Sequence, residues 1–387
     1  MTKRERIAVA HHNMMEKGGA EGVGMNVLEA LQDRYDVSLL TLTHPDIADL
    51  NSYYNTAVDE SAIDVHQIGW IVSRMYESTN RFHLLKNALV SRLMTRHADG
   101  FDLIFCTYNE LSLPGHSLQY VHMPQFRRWT NNRNRGLFAG LYDEMCKTVE
   151  GFDTRMICTN RLLANSAWTA NVTEETYGTR PEVVYPPVAT EGFIDTPWTE
   201  REDGFVAVGR IGPKKNVLRT IEIIASLHDR GHDVHLHIVG PPHGAAYMMA
   251  VEEAAEQHEF VHLEGVMERQ ALVELICKHK YGIHGKDHEH FGMAVAELAA
   301  GGTIPFVPNG GGQREIVRER EELLYETVDE AVEKIDWTLS DPELQTELAG
   351  QMNDIEERFG RKRFKRTIRK VVEEVLNEPQ STARTTP

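Results

Sequence analysis

The chain has no apolar run near the roughly eighteen residues that a membrane-spanning helix requires, so no part of its 387 residues is expected to cross a bilayer. Cysteine is scarce. Cys106, Cys146, Cys158 and Cys277 are scattered without close pairing, which argues against a disulfide framework or a zinc knuckle and predicts reduced thiols. Basic side chains are outnumbered, 41 against 58 acidic ones, for a net charge of −17. A surface of that sign repels nucleic acid. The acidity fits a high-salt interior, where repulsion is screened, and an ordinary acidic enzyme equally well. The opening MTKRERIAVAHH runs from basic residues straight into a strand-like segment, without the apolar region and small-residue site of a signal peptide, and a cytoplasmic protein is expected.

What is present is a globular balance, 41% hydrophobic and 26% charged, over a length that favours two domains. Short apolar runs alternate with helical segments: IAVA at 7–10, VSLLTL at 37–42, DLIFCT at 102–107, RLLANS at 161–166 and EVVYP at 182–186. The rhythm restarts with GFVAVGR at 204–210 and continues through HLHIVG at 235–240, FVHLEG at 260–265, KYGIHG at 280–285 and GTIPFV at 302–307. Such alternation marks the α/β class, here two Rossmann-like doubly wound domains. The expected boundaries are 1–188, a linker at 189–203, 204–360, an amphipathic helix at 361–378 that crosses back to the first domain, and a disordered tail at 379–387. Ligands in such sheets lie beyond the carboxyl ends of the strands, and a cleft between two such domains is a natural active site.

Several stretches carry candidate chemistry. In FVAVGRIGPKKN, 205–216, a strand runs into a loop holding Gly209, Arg210, Lys214 and Lys215; at a strand end these cations suit a phosphate, although a basic surface loop reads the same way. In HEHFGMAVAELAAGG, from 288, a helix starting at Phe291 would leave Glu289 in the loop at its N-terminus, where free amides and the helix dipole also attract anions. Glu297 would then lie two turns on, displaced by roughly 80° on an ideal helix. The pair could span a ligand with hydroxyls at both ends. The alternatives are a dipole-complementing acid at Glu289 and a satisfied core carboxylate at Glu297. EKGGAEGVG supplies Gly18, Gly19, Gly22 and Gly24 after the first strand, at spacing that misses the dinucleotide fingerprint and suits a loop closing on a ligand, or a plain turn. QYVHMPQFRRW ends a strand at His122, a candidate hydrogen-bonding group. HGKDHEH, 284–290, is dense enough to suggest a metal but lacks a second cluster, so no metal is expected there.

Glu289 and Glu297 match E-x7-E, and Gly209, Arg210 and Lys215 match GR-x4-K. With GGAEGVG, YVHMP, ANSAWT, VVYPP and HEHFGMAVAELAAGGTIPFVPNGGGQREIV, the chain resembles the retaining glycosyltransferases of family 4, of GT-B architecture. More narrowly, it is similar to the α-1,2-mannosyltransferases of the N-glycosylation pathway, which extend dolichol-linked oligosaccharide. The resemblance implies transfer of a hexose from a nucleotide-diphosphate sugar to a glycan acceptor, polyprenyl-linked in those enzymes. It implies that Arg210 and Lys215 hold the diphosphate, Glu297 the ribose hydroxyls and Glu289 the transferred sugar. The backbone of Phe291, Gly292 and Met293 would touch sugar or phosphate, His122 would face the sugar, and Gly18 and Gly19 would line the diphosphate and acceptor side.

No cofactor is expected beyond the sugar nucleotide, since the chain contains no Asp-x-Asp tripeptide to carry a divalent cation. An epimerase or phosphorylase of the same architecture, or a sugar-nucleotide sensor, would share the diphosphate grip. Arg74, Arg81, Lys86, Arg92 and Arg96, with Phe126 and the arginines from Arg127 to Arg135, form a basic, partly apolar stretch that predicts weak peripheral contact with anionic lipid. The alternative is an ordinary amphipathic helix docked on the sheet.

Overall fold

A computed structural model describes residues 4–69, 74, 83–97, 100–113, 117–127 and 137–378. The chain divides into two compact units, Met1–Pro187 with Lys362–Pro387, and Val188–Arg361. No helix among the described residues is long and apolar enough to cross a membrane.

In the first unit, β1 (Arg6–Ala10), β2 (Asp36–Thr41), β3 (Ile63–Gln67), β4 (Leu103–Cys106), β5 (Ser117–Val121), β6 (Arg161–Ala164) and β7 (Glu182–Val183) form one sheet. Its order is β3-β2-β1-β4-β5-β6-β7, and every recorded pairing is parallel. The central strands are apolar runs because helices cover both faces of a parallel sheet; Ile7, Val9, Leu39, Phe105 and Tyr120 are buried. The helix Arg361–Asn377 contributes to this same core through Phe364, Ile368, Val371, Val372 and Val375, while Lys362, Arg366 and Lys370 are exposed. The tail 379–387 lies outside the described residues.

The second unit holds β8 (Glu202–Val208), β9 (His235–Val239), β10 (Val261–Gly265), β11 (His279–Ile283), β12 (Ile304–Pro308) and β13 (Leu324–Tyr325). The order is β10-β9-β8-β11-β12-β13, again in parallel register. Both sheets reverse their strand order next to the first strand, at β1/β4 and at β8/β11. That switch point opens a crevice at the carboxyl edge, where such folds bind ligands.

Two expectations change, for the stretch 189–203 and for Phe126, and the docked-helix alternative holds for the apolar positions of 83–96. The stretch 189–203 belongs to the second unit: Arg201 is buried, its Nη1 donating to Gly301 O at 2.8 Å and His279 O at 3.2 Å, and β8 begins at Glu202. Its polar, proline-containing composition conceals that anchoring. In the helix His83–Arg96, Ala88, Val90 and Met94 are buried, so these apolar side chains serve the core. Phe126, also buried, meets Phe152 edge-on at 5.2 Å and is withdrawn from any lipid-facing patch. Arg81, Arg128, Trp129, Arg133, Arg135 and the side chain of Lys86 lie outside the description.

Candidate active site

The loop after β8 begins at Gly209, whose φ of 145° is matched by 147° at Gly240 after β9. The two turns nest so closely that a Cβ on Gly240 would stand 2.1 Å from the carbonyl oxygen of Gly209. Only glycine tolerates both the dihedral and the approach. A 3-10 turn, Pro213–Lys215, then leads through Asn216 at φ 51° into the helix Val217–Asp229. Lys215 bends back over Gly209, its Cε 3.5 Å from where a Cβ would be.

From β11, on the other side of the switch point, comes the 284–292 loop. Glu289 accepts hydrogen bonds from the ammonium groups of both Lys215 and Lys286, and His284 Nε2 lies 3.7 Å away. Burial opposes ionisation of Glu289. The neighbouring imidazole and the two lysines outweigh it and hold the carboxyl well below its usual range. His284 is itself buried, which lowers its pKa, and its Nε2 has no hydrogen-bond partner. The result is an ionised carboxylate surrounded by positive charge at the edge where an anionic ligand would enter.

The loop is tightly held. Gln313 Nε2 donates to Lys286 O at 2.9 Å and to Pro308 O and Gly310 O at 3.0 Å. Gly312 N donates to Glu289 O at 2.8 Å, and Gly311, at φ 77°, sits where a Cβ would be 2.1 Å from that oxygen. Arg219 donates to Gly285 O and, at 2.7 Å, to Asp287 Oδ1, while the Tyr325 hydroxyl donates to His284 O. Within HGKDHEH, Arg219 engages Asp287 and the two lysines engage Glu289.

The helix expected from Phe291 begins at Met293, because Gly292 before it has φ 111°. Glu289 thus stands four residues ahead of the helix, in a short bridge to Gly311, and ideal-helix spacing to Glu297 does not apply. Its carboxylate neutralises lysines rather than complementing the dipole. Phe291 is buried and packs edge-on against Phe359 at 5.3 Å, leaving its backbone, with Gly292 and Met293, at the helix start. Glu297, on the helix, accepts from Arg269 Nη1 at 2.8 Å, and Arg269 Nη2 reaches Ala189 O at 2.9 Å. Burial raises the Glu297 pKa, with Arg269 opposing. Arg210 is exposed and makes no ion pair among the described residues. The structure therefore joins Lys215 to Glu289 and leaves Arg210 and Glu297 as separate members.

In the first unit, His122 follows β5. Its backbone N–H donates to Asn109 Oδ1 at 2.7 Å, and its Nε2 lies 3.0 Å from Thr107 O; a carbonyl only accepts, so Nε2 carries the proton. Gly18 caps the helix Gly19–Leu31, its N–H donating to Glu21 Oε2 at 2.7 Å and its carbonyl accepting from the Tyr54 hydroxyl at 2.7 Å. The amide of Gly18 is therefore engaged within its own loop, and the exposed glycine is Gly19. His11 joins the group, with Nδ1 2.9 Å from Thr107 Oγ1 and Nε2 3.4 Å from Glu21 Oε1. Burial opposes ionisation of Glu21, but His11 and the backbone amides bring its pKa below normal. Beside them His12 is fully buried against the Tyr108 ring at 4.2 Å with neither ring nitrogen hydrogen-bonded; burial, then His11, lowers its pKa to about 3.

Sequence reasoning missed His284, Lys286, Gln313, Arg219 and Arg269 as parts of the site. The first two were visible only as a suspected metal motif. For Gln313 the signal was the preceding Gly310-Gly311-Gly312, a run that makes sense only where backbone approaches backbone.

Two doubly wound α/β units, each with its ligand crevice at a strand-order reversal, define the GT-B architecture of glycosyltransferases. A glycosyltransferase from Rickettsia africae aligns over 98% of this chain and 100% of its own at a TM-score of 0.69 and 14% identity. Anabaena HepE, crystallised with UDP and glucose, aligns over 96% of this chain and 100% of its own at 0.68 and 14%. Residues 190–352 match the family Glycosyl transferases group 1, a span that falls within the second unit. Curated relatives include GDP-Man:Man(3)GlcNAc(2)-PP-Dol alpha-1,2-mannosyltransferases. The Dictyostelium discoideum enzyme is 27% identical over 240 residues, 56% of this chain and 48% of its own length. The human enzyme is 26% identical over 174 residues, 41% and 35% respectively. The matched region spans about half, or less, of these relatives.

Proposed function

We propose that this chain is a retaining hexosyltransferase of family 4 that moves a hexose from a nucleotide-diphosphate sugar to a glycan acceptor. The observation that carries this reading is the Lys215–Glu289 contact at the β8/β11 switch point. A cation and an ionised carboxylate side by side at a strand-order reversal, where such folds bind ligands, support a site for a sugar joined to a diphosphate. Lys215 and Arg210 take the diphosphate, Glu289 accepts from sugar hydroxyls and Glu297 accepts from the ribose. Mannose from GDP-mannose, and a dolichol-linked glycan as acceptor, are favoured by the names of the curated relatives.

The chemistry follows from the charges. As the C1–oxygen bond to the diphosphate breaks, negative charge grows on the leaving group, and fixed cations lower the barrier most where that charge develops. The acceptor hydroxyl attacks C1 from the face the diphosphate leaves, and its proton passes to a phosphate oxygen of that leaving group. This step needs no cofactor or metal, since lysine and arginine supply the positive charge. The experiment is a thermal-shift screen against a panel of nucleotide sugars, followed by product analysis with and without a glycan acceptor. A ligand that binds only the folded state raises its stability by mass action. Stabilisation by one nucleotide sugar, with sugar transferred to the acceptor, supports the reading. Epimerised donor or free sugar phosphate as the product, or stabilisation by none, overturns it.

A further inference from the structure

The carboxyl ends of the second sheet carry the site above; the amino ends carry a different cluster. His235 and His237 start β9, His279 starts β11, and between these strands runs β8. Side chains two apart on a strand share a face, so His235 and His237 project together. Across β8 they would be kept from His279 by any side chain opposite His235, but that position is Gly204. A Cβ there would stand 2.2 Å from His235 Nε2. The three imidazoles consequently close up, with ring centroids 4.7 to 5.1 Å apart and one nitrogen of each within 4.8 Å of the others.

Hydrogen bonds fix which nitrogens face inward. His279 Nδ1 lies 2.6 Å from Leu275 O, and His237 Nδ1 lies 2.7 Å from Glu264 Oε1. A carbonyl and a carboxylate both accept, so each Nδ1 carries its proton and each Nε2 keeps its lone pair. His235 Nε2 is 2.9 Å from His279 Nε2. An imidazole orientated by a carboxylate or carbonyl on its far nitrogen is the usual outer support of a metal ligand. Glu202 Oε2 lies 3.5 Å from His279 Nε2 and 3.7 Å from His235 Nε2, while His279 is buried and the other two rings are partly open to solvent.

We propose that His235, His237 and His279 bind a divalent transition-metal ion of the zinc type, with Glu202 placed to supply the fourth ligand. Zn–N bonds of about 2.0 to 2.1 Å in tetrahedral array put ligand nitrogens roughly 3.3 Å apart, within reach of small side-chain rotations from the observed spacing. Binding removes the hydrogen bond between His235 and His279 and moves the His235 proton off Nε2. The ion would tie β9 to β11 across the glycine of β8, at the end of the sheet away from the donor loops, and so act as a structural staple.

The test uses untagged protein freed of metal by chelation and dialysis, then titrated with Zn2+ by calorimetry and followed by thermal unfolding. The proposal expects one saturable ion per chain and a Zn2+-dependent rise in Tm. Both should be lost in His235→Gln and His237→Gln, whose side chains are partly exposed and tolerate substitution, and kept in the double variant His288→Gln, His290→Gln. Absence of saturable binding, or binding unchanged in His235→Gln and His237→Gln, overturns it.

Discussion

Lys215 hydrogen-bonds Glu289 across 74 residues of sequence, joining the loop after β8 to the loop after β11 on either side of the strand-order reversal. Neither loop closes the site alone. The contact sets an ammonium beside a carboxylate that His284, Lys215 and Lys286 together keep ionised against burial.

Lys215→Ala and Arg210→Ala should each lower turnover with the proposed donor by roughly 10²- to 10³-fold, about 3 to 4 kcal/mol, by analogy with removing one oxyanion donor. Arg210→Ala should leave Tm unchanged, because the guanidinium is exposed and unpaired among the described residues. Steady-state kinetics beside thermal unfolding checks both, and turnover near wild type in either variant removes that residue from the diphosphate grip.

Gly311→Ala should damage the site through the backbone. Its Cβ would fall 2.1 Å from Glu289 O at a φ of 77°, so the 286–289 loop must shift. A loss of roughly 1 to 3 kcal/mol in stability is expected, with a larger fall in turnover than in donor affinity measured by calorimetry. An unchanged Tm together with unchanged turnover contradicts the packing described.

Acid should destabilise the chain through His12, whose pKa is lowered to about 3 by burial. The unfolded chain binds the proton with a pKa near 6.5, so between these values the unfolded state carries more protons and stability rises with pH. The contribution is complete above pH about 6.5 and declines by up to roughly 1.4 kcal/mol per unit as pH falls toward 3. Denaturant melts of wild type and His12→Phe from pH 7 to 4.5 should diverge, the variant showing the shallower loss. Parallel curves would mean that His12 is not buried neutral.

Chelation should leave turnover largely intact at temperatures well below unfolding, because cationic side chains take the diphosphate and the histidine cluster lies at the other end of the sheet. Assays with and without EDTA check this, with Tm measured alongside. Complete loss of turnover at an unchanged Tm would require a metal at the donor site.

Much of this was legible in the sequence for a physical reason: central strands of a covered parallel sheet must be apolar on both faces, and runs such as IAVA and GFVAV stand out. The edge strands did not. In IDVHQ, at β3, buried Ile63 and half-buried Val65 alternate with exposed polar residues, and β13 is only two residues long. E-x7-E marked two glutamates but not their geometry, because a positive φ at Gly292 shortens the helix. Two partners of Glu289, His284 and Lys286, lay in a histidine-rich string whose density suggested a metal, a reading set aside for want of a second cluster. The cluster at the amino ends was invisible, since it joins residues from β9 and β11 through the absence of a side chain at Gly204.

The most direct test of retaining transfer from a nucleotide sugar is the anomer released when the enzyme hydrolyses its donor slowly without acceptor, followed by proton NMR before mutarotation. With GDP-mannose, an α-linked donor, the account predicts that free α-mannose appears first and that Lys215→Ala abolishes its release. First appearance of the β-anomer, or release undiminished in Lys215→Ala, would contradict it.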